Sequence, residues 1–471
     1  MPFPMSRPGL LAGPLPDGDA VFGQPIAALQ AAMAAGSLNA ADLVRAYLAR
    51  IAAYDQHGPV LNAVLTINPH AADEAALRDA ERRAGQLRGP LHGIPVLIKD
   101  NIDVVGMPAT AGSRALAQRR PEHDADVVQR LRHAGAIVLG KTTLHELACG
   151  ITTVSSLSGR TRNAYDAARV PGGSSGGSAV AVASSFAAVA VGSDTSGSIR
   201  IPAAFNQVWG LRPTAGRCST AGVVPLSPTL DTVGPMARCV DDLAALWSVM
   251  AGPDAGSPVR PSRADRPSGP WRIGTLDALF GEAGQEGEVS DQVRAALMRM
   301  QASDALVQPV SMALDDARLV AANVTGYEFR DALAECLRDA GLPVRSLDDI
   351  LDGAYPHPEV MAILQERNAV RDPDGRARHA ALDCAHTIRA DVLAALASGP
   401  LDMLAYPSVR GAPVRLGEPQ RGGNGLLAAV TGLPALSVPI GFTPSGIPVG
   451  LELLGAAGSE AMLIQAARVL V

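Results

Sequence analysis

The stretch Gly-Gly-Ser-Ser-Gly-Gly-Ser-Ala-Val-Ala-Val-Ala-Ser-Ser-Phe-Ala-Ala-Val-Ala-Val-Gly-Ser-Asp-Thr-Ser-Gly-Ser-Ile-Arg, Gly172–Arg200, sets two glycine- and serine-rich loops around one apolar run. That run, Ala179–Val191, is mostly alanine and valine, with Ser184 and Ser185 inside it. It is too short to span a bilayer, and its small side chains suit a helix and a strand buried in a tight core. The flanking loops expose hydroxyls and backbone N–H groups to a ligand, because glycine puts no side chain in the way. Upstream, Gly93–Asn101 reads Gly-Ile-Pro-Val-Leu-Ile-Lys-Asp-Asn, with Lys99 closing an apolar strand. Desolvation at such a place disfavours the ammonium form and makes Lys99 a candidate neutral amine. A serine nucleophile, an amine base and a nest of N–H donors are the ingredients of acyl transfer.

Outward from this stretch, the chain alternates strands and helices. Ser37–Ile51 places Leu43, Val44, Tyr47, Leu48 and Ile51 on one helical face, with Ser37 as N-cap. Ala71–Leu87 is alanine-rich, and the spacings Glu74/Arg78 and Asp79/Arg83 predict an exposed helix with i,i+4 pairs. Pro95–Ile98 and Ala136–Leu139 read as buried strands, with Asp124–Ala134 helical between them. A helix is expected from about Thr142, carrying His145 and Glu146. Gly252–Pro270, with five prolines and three glycines, is a loop or linker. Beyond it Val289–Met300 and Tyr327–Ala340 read as helices. Leu401–Ala405, Ala435–Pro439 and Val449–Leu454 read as strands, the last two joined through a turn at Thr443–Pro448. The pattern predicts an α/β layer architecture in one domain. Its core covers about 20–252 and 401–471, and an inserted helical cap covers about 271–400.

Bulk properties narrow the function. The 471 residues are 47% apolar and 18% charged, with only 3% aromatics. This composition supports a large buried core filled by Ala, Val and Leu. A net charge of −6 without a basic tract excludes an electrostatic footprint for nucleic acid. Met1–Asp19 has no charged start followed by an apolar segment, so it does not read as a signal peptide. The five scattered cysteines read as reduced thiols, and a cytoplasmic enzyme is expected.

Several motifs compete. Gly135–Thr142, Gly-Ala-Ile-Val-Leu-Gly-Lys-Thr, meets the phosphate-loop pattern, but its Ala-Ile-Val-Leu is itself a strand where the loop should be flexible. Gly-x-Ser-x-Gly is met around Ser174 and again around Ser175. An α/β-hydrolase elbow, the esterase alternative, needs a preceding strand and a downstream histidine, and Thr161–Arg169 is polar and loop-like. The available histidines, His357, His379 and His386, fall in the cap segment. No histidine spacing suggests a metal, and no cofactor is expected. Taken singly, Lys99 reads as a snorkelling strand-end lysine, Ser174 and Ser175 as turn residues, and Ser198 as the cap of a helix starting at Ile199.

Jointly, Lys99, Ser174 and Ser198, the serines 24 positions apart, resemble the amidase signature family with its Ser–cisSer–Lys triad. The resemblance runs from Ser37 through Arg238 and resumes over Asp402–Gly455, with 253–400 matching poorly. It implies a three-layer α/β/α fold with a large mixed central sheet. It implies Ser198 as nucleophile, Ser174 as the serine after a cis peptide bond that bridges nucleophile and lysine, and Lys99 as the ultimate base. The oxyanion hole would be formed by backbone N–H groups of Thr195, Ser196, Gly197 and Ser198. Many relatives carry two glycines where Ser196-Gly197 stands here. Asp194 and Arg200 read as a structural pair, Ser175 as a supporting neighbour, and Cys149, Gly150, Ile151 and Thr152 as pocket lining. Tyr54–Val64 and Gly210–Gly216 look more like the stand-alone amidases than the amidotransferase A-type subunits, which act in a complex. Trp271, Phe280, Tyr327, Phe329 and Tyr355 place five of the chain's sixteen aromatics in the cap. An aryl or apolar amide, or a carbamate (urethane), is therefore the expected small-molecule substrate, bound beside Tyr327 by a monomer or homodimer without nucleic acid or membrane.

Overall fold

The computed structural model describes residues 21–252, 269–338 and 340–471. The reading of Met1–Asp19 and most of the Gly252–Pro270 linker therefore lie outside the described residues. The chain forms strands β1 (Val64–Ile67), β2 (Pro95–Lys99), β3 (Ile137–Thr142), β4 (Val154–Ser155), β5 (Gly159–Arg160), β6 (Val189–Asp194), β7 (Trp209–Arg212) and β8 (Thr232–Ala237). It continues with β9 (Trp271–Thr275), β10 (Ala305–Pro309), β11 (Met403–Pro407), β12 (Ala435–Phe442) and β13 (Pro448–Leu454). Eleven of these make one sheet in the order β1-β3-β2-β6-β8-β7-β12-β13-β11-β9-β10. β2 runs parallel to β3 and β6, while β6–β8, β7–β8 and β12–β13 are antiparallel, so the sheet is mixed. Helices cover it in a three-layer α/β/α arrangement. Strands β2, β3, β6, β7, β8, β11 and β13 are buried at every residue, which is why their apolar residues do not alternate with polar ones.

The Gly172–Arg200 stretch folds as loop, helix Gly176–Ala183, strand β6 and helix Arg200–Phe205. The helix can lie against the sheet because its residues are small: Gly177, Ser178 and Ala179 are all buried. β6, between β2 and β8, therefore carries Ser193 and Asp194 at its carboxyl end beside Lys99, the last residue of parallel strand β2.

Several expectations need correction. The cap cannot begin at 271, because Trp271–Thr275 and Ala305–Pro309 are strands β9 and β10 of the main sheet. Trp271 and Phe280 are core residues of that sheet's end rather than pocket aromatics. The helical lobe proper is built by Thr325–Leu337, Leu347–Asp352 and Pro358–Ala369. Phe329, Leu333, Leu347, Val360 and Leu364 of these helices pack on Leu147, Cys149, Val224 and Leu226. No α-helix starts at Thr142: β3 ends there and a single 3-10 turn, Glu146–Ala148, follows, with Leu147 at φ 53°. The first predicted helix begins at Ala40 with Asn39 rather than Ser37 as its cap, Asn39 Oδ1 accepting from Asp42 N at 2.7 Å. Nor does Asp79 pair with Arg83; its carboxylate accepts from Ala40 N at 2.7 Å and Ala41 N at 3.1 Å. Two free N–H groups at a helix start satisfy a buried carboxylate better than a solvated arginine does.

Candidate active site

Lys99 is wholly buried, and its Nζ lies 2.7 Å from Ser174 Oγ, 2.8 Å from Ser193 Oγ and 3.3 Å from Ser193 O. Burial lowers its pKa from 10.5 to about 7, with Asp194 and Asp231 pulling weakly the other way. An amine whose near neighbours are hydroxyls and a carbonyl can sit there uncharged. The peptide bond Gly173–Ser174 is cis. Ser174 is fully buried, its carbonyl accepting from His145 N at 3.1 Å. Ser198 is 5% exposed whereas Lys99 and Ser174 are at 0%, so of the three only Ser198 meets approaching solvent or substrate.

Two loops are stitched together here. Ser198 O accepts from Ser175 N at 3.0 Å, and Ser175 Oγ donates to Ser193 O at 3.0 Å. Asp194 fixes the nucleophile loop, since its carboxylate accepts from Gly197 N at 3.0 Å and Ile199 N at 2.9 Å. Arg200 Nη2 at 3.0 Å and Arg212 Nη1 at 2.9 Å lie on the same carboxylate. Although burial opposes it, these arginines hold Asp194 well below the ordinary carboxylate range. Arg200 also pairs with Glu452, which accepts from Tyr406 Oη at 2.9 Å.

Gly197 has to be removed from the expected donor set, because its N–H already points at Asp194. Its missing Cβ serves packing: at φ +110° a Cβ would stand 3.0 Å from Ile201 and 3.1 Å from Gly425. The helix after Ser198 begins at Arg200, and Asp194 rather than Ser198 supplies its N-terminal acceptor.

The expected lining segment lies beside Ser174. Ile151 packs near Gly173, and Cys149 accepts from Arg367 Nη1 at 2.8 Å. Burial pushes the Cys149 thiol up to about 11, so it is protonated. Thr152 N approaches His145 Nδ1 at 3.3 Å, and burial lowers His145 to about 3, which leaves that ring neutral. Tyr327 falls elsewhere. It packs with Leu230, Val324 and Ala381 and borders a cleft with Arg330, Val370 and Pro373, in whose wall none of Lys99, Ser174 and Ser198 stands. Ser193 was missed by sequence reading. It stands at the end of β6, one residue before Asp194, with its hydroxyl on the lysine of the neighbouring strand.

The rival motifs do not assemble. Lys141, the lysine of the phosphate-loop pattern, is inside β3, 3.3 Å from Asp100 and 3.0 Å from Pro108 O. His357 caps the helix Pro358–Ala369, while His379 and His386 are exposed on Arg376–Ser398. Among the described residues no group of three or more His, Cys, Asp and Glu side chains could hold a metal ion, and no helix is long and apolar enough to cross a membrane.

A large mixed sheet carrying these two loops and this buried lysine defines an enzyme of the amidase signature class, which acts on C–N bonds. The chain belongs to the amidase family, whose model matches residues 42–464. It is similar to the A subunit of the glutamyl-tRNA(Gln) amidotransferase of Moorella thermoacetica, 36% identical over 91% of this chain and 92% of that protein. The same subunit from Synechococcus sp. (strain CC9605) is 34% identical over 94% of each. Among solved structures, the native peptide amidase from Stenotrophomonas maltophilia superposes with a TM-score of 0.85 at 39% identity, covering 95% of this chain and 96% of that one.

Proposed function

We propose that this chain hydrolyses linear amides through an acyl-enzyme on Ser198, with Ser174 and Lys99 as its proton relay. The observation that carries the reading is the fully buried Lys99 at 2.7 Å from Ser174 Oγ, its pKa lowered by burial to about 7, next to the loop that ends in Ser198. Ser198 Oγ attacks the amide carbon as its proton passes to Ser174, whose own proton passes to Lys99. The N–H groups of Thr195, Ser196 and Ser198 face the oxyanion. Collapse breaks the C–N bond, and the proton returned along the relay leaves on the amine. A water, deprotonated by the same route, then releases the acid and restores Ser198. An aryl or apolar acyl group is the proposed substrate, with carbamates as a related class.

A second reading, a C-terminal peptide amide, is favoured by the likeness to the peptide amidase. The third is an amidotransferase A-type subunit, favoured by the curated relatives. Purified alone, the chain is expected to release 4-nitroaniline from an aryl nitroanilide, and Ser198→Ala to abolish this. Ser174→Ala is expected to be damaging but less so, since water can partly replace the hydroxyl. Inactivity alone with recovery on adding partner subunits would select the amidotransferase reading, and a preference for peptide amides in a substrate panel would select the second.

A further inference from the structure

Asp231 lies between the nucleophile loop and the seat of the helical lobe. One carboxylate oxygen accepts from Thr195 Oγ1 at 2.5 Å; the other accepts from Leu226 N at 2.8 Å and Ser227 N at 3.0 Å. The 226–231 loop is tied to the nucleophile loop a second time, through Arg212, which donates to Asp194 O at 2.7 Å and to Leu230 O at 2.8 Å. From its other side this loop is gripped by the lobe. Glu328, on Thr325–Leu337, accepts from Ser227 Oγ and Thr229 Oγ1, both at 2.5 Å, and from Arg378 Nη2 at 2.6 Å. Glu328 is only 8% exposed, so these donors are the ones that satisfy it.

Asp194 restrains Gly197 and Ile199, the far end of the nucleophile loop, and Asp231 restrains Thr195, its near end. We propose that Asp231 is a positioning residue for amide hydrolysis. It fixes Thr195 so that the loop's N–H groups converge on the oxyanion, and through Ser227, Thr229 and Glu328 it makes that convergence depend on how the lobe is seated. The proposal rests on the catalytic reading above. Donors aimed at developing charge act only when held in advance, so loss of the restraint lowers kcat while substrate still binds.

The test is kinetics of Thr195→Val, Thr195→Ser, Asp231→Asn, Glu328→Gln and the Thr195→Val/Asp231→Asn double variant. Rates are taken per active site titrated with a fluorophosphonate, so that unfolded protein does not count. Thr195→Val and Asp231→Asn are each expected to lower kcat about tenfold or more with KM within about twofold, as expected for a loosened oxyanion donor. The double variant is expected to be no worse than the weaker single one, because both break one contact. Thr195→Ser, which keeps the hydroxyl, is expected to retain most activity, and it decides the matter should Asp231→Asn fail to fold. Glu328→Gln is expected to move kcat in the same direction by less. Multiplying effects in the double variant, equal activity of Thr195→Val and Thr195→Ser, or a fall in titratable sites with unchanged kcat per site would overturn the proposal. Failure of the catalytic reading is a separate result: it would show as an inactive wild-type chain, or as an active Ser198→Ala.

Discussion

Lys99 carries a tension between stability and chemistry. An unfolded chain leaves this amine at its ordinary value, while burial in the fold lowers it from 10.5 to about 7. The unfolded state therefore binds more protons between these values. Folding stability should rise as pH climbs from 7 toward 10.5, and the burden is fully present below 7. At about 1.4 kcal/mol per pH unit the burden approaches about 4–5 kcal/mol, and the hydrogen bonds to Ser174 and Ser193 offset part of it. Lys99→Met should accordingly be inactive yet more stable than wild type at neutral pH, with the gap closing as pH rises toward 10.5. Paired urea melts at neutral and alkaline pH would show it; equal or lower stability of the variant at pH 7 would refute it. Lys99→Arg should not restore activity, because a guanidinium stays charged. The depressed lysine was legible in the sequence, since the apolar run Gly-Ile-Pro-Val-Leu-Ile before it implies burial. Ser193 was not, because nothing in a Gly-Ser-Asp string says which side chain faces a lysine on the neighbouring strand.

Small residues decide how the elements meet. The helix Gly176–Ala183 approaches so closely that a Cβ on Gly177 would lie 2.4 Å from Thr143 O and 2.6 Å from Ala63 O. Both are backbone atoms, so no rotamer change relieves the clash. Gly177→Ala should cost about 1–3 kcal/mol or more, as overpacking does, and it should displace Ser174 and Ser175 just before it. A thermal melt read together with nitroanilide turnover would show both falling; a wild-type melting temperature would contradict the close approach. Sequence reading found β2, β3, β11, β12 and β13, whose apolar runs are plain, and did not find β7 or β8, whose Gly, Arg and Pro break the run. It failed where contact replaces periodicity. Asp79 was assigned to a surface pair because i,i+4 spacing says nothing of the helix start above it. The segment after Thr142 was read as helical because its composition allows a helix, whereas β3 runs into a tight turn with Leu147 at positive φ.

Across the whole molecule, one buried charge network links distant parts of the sheet. Asp194 ends β6, Arg200 starts the next helix, Arg212 ends β7, and Glu452 lies in β13, all at 0% exposure. Removing one member of such a set leaves an unpaired buried charge, at a cost of about 3–5 kcal/mol. Arg200→Met should thus lower both stability and turnover, because Asp194 loses the partner that lets it hold Gly197 and Ile199. Glu452→Gln, which keeps a hydrogen-bonding oxygen for Arg200, should be milder on both counts. Denaturant melts of the two variants would rank them, and the reverse order would argue against the network's role. The Asp194–Arg200 pair could be seen in the sequence, six residues apart; Glu452 could not, because the strand that brings it there lies more than two hundred residues downstream. The same distance problem stretched the cap over β9 and β10, where a weakly matched segment hid two strands of the main sheet.

A neutral Lys99 driving the chemistry leaves a kinetic signature in the pH dependence of kcat/KM for an aryl anilide. Neutral amine is the active form, so activity should rise with pH along one limb centred near the value of about 7 set by burial, and stay high above it. A limb centred near the free lysine value of ~10.4, or activity that falls as pH rises through neutrality, would contradict the account.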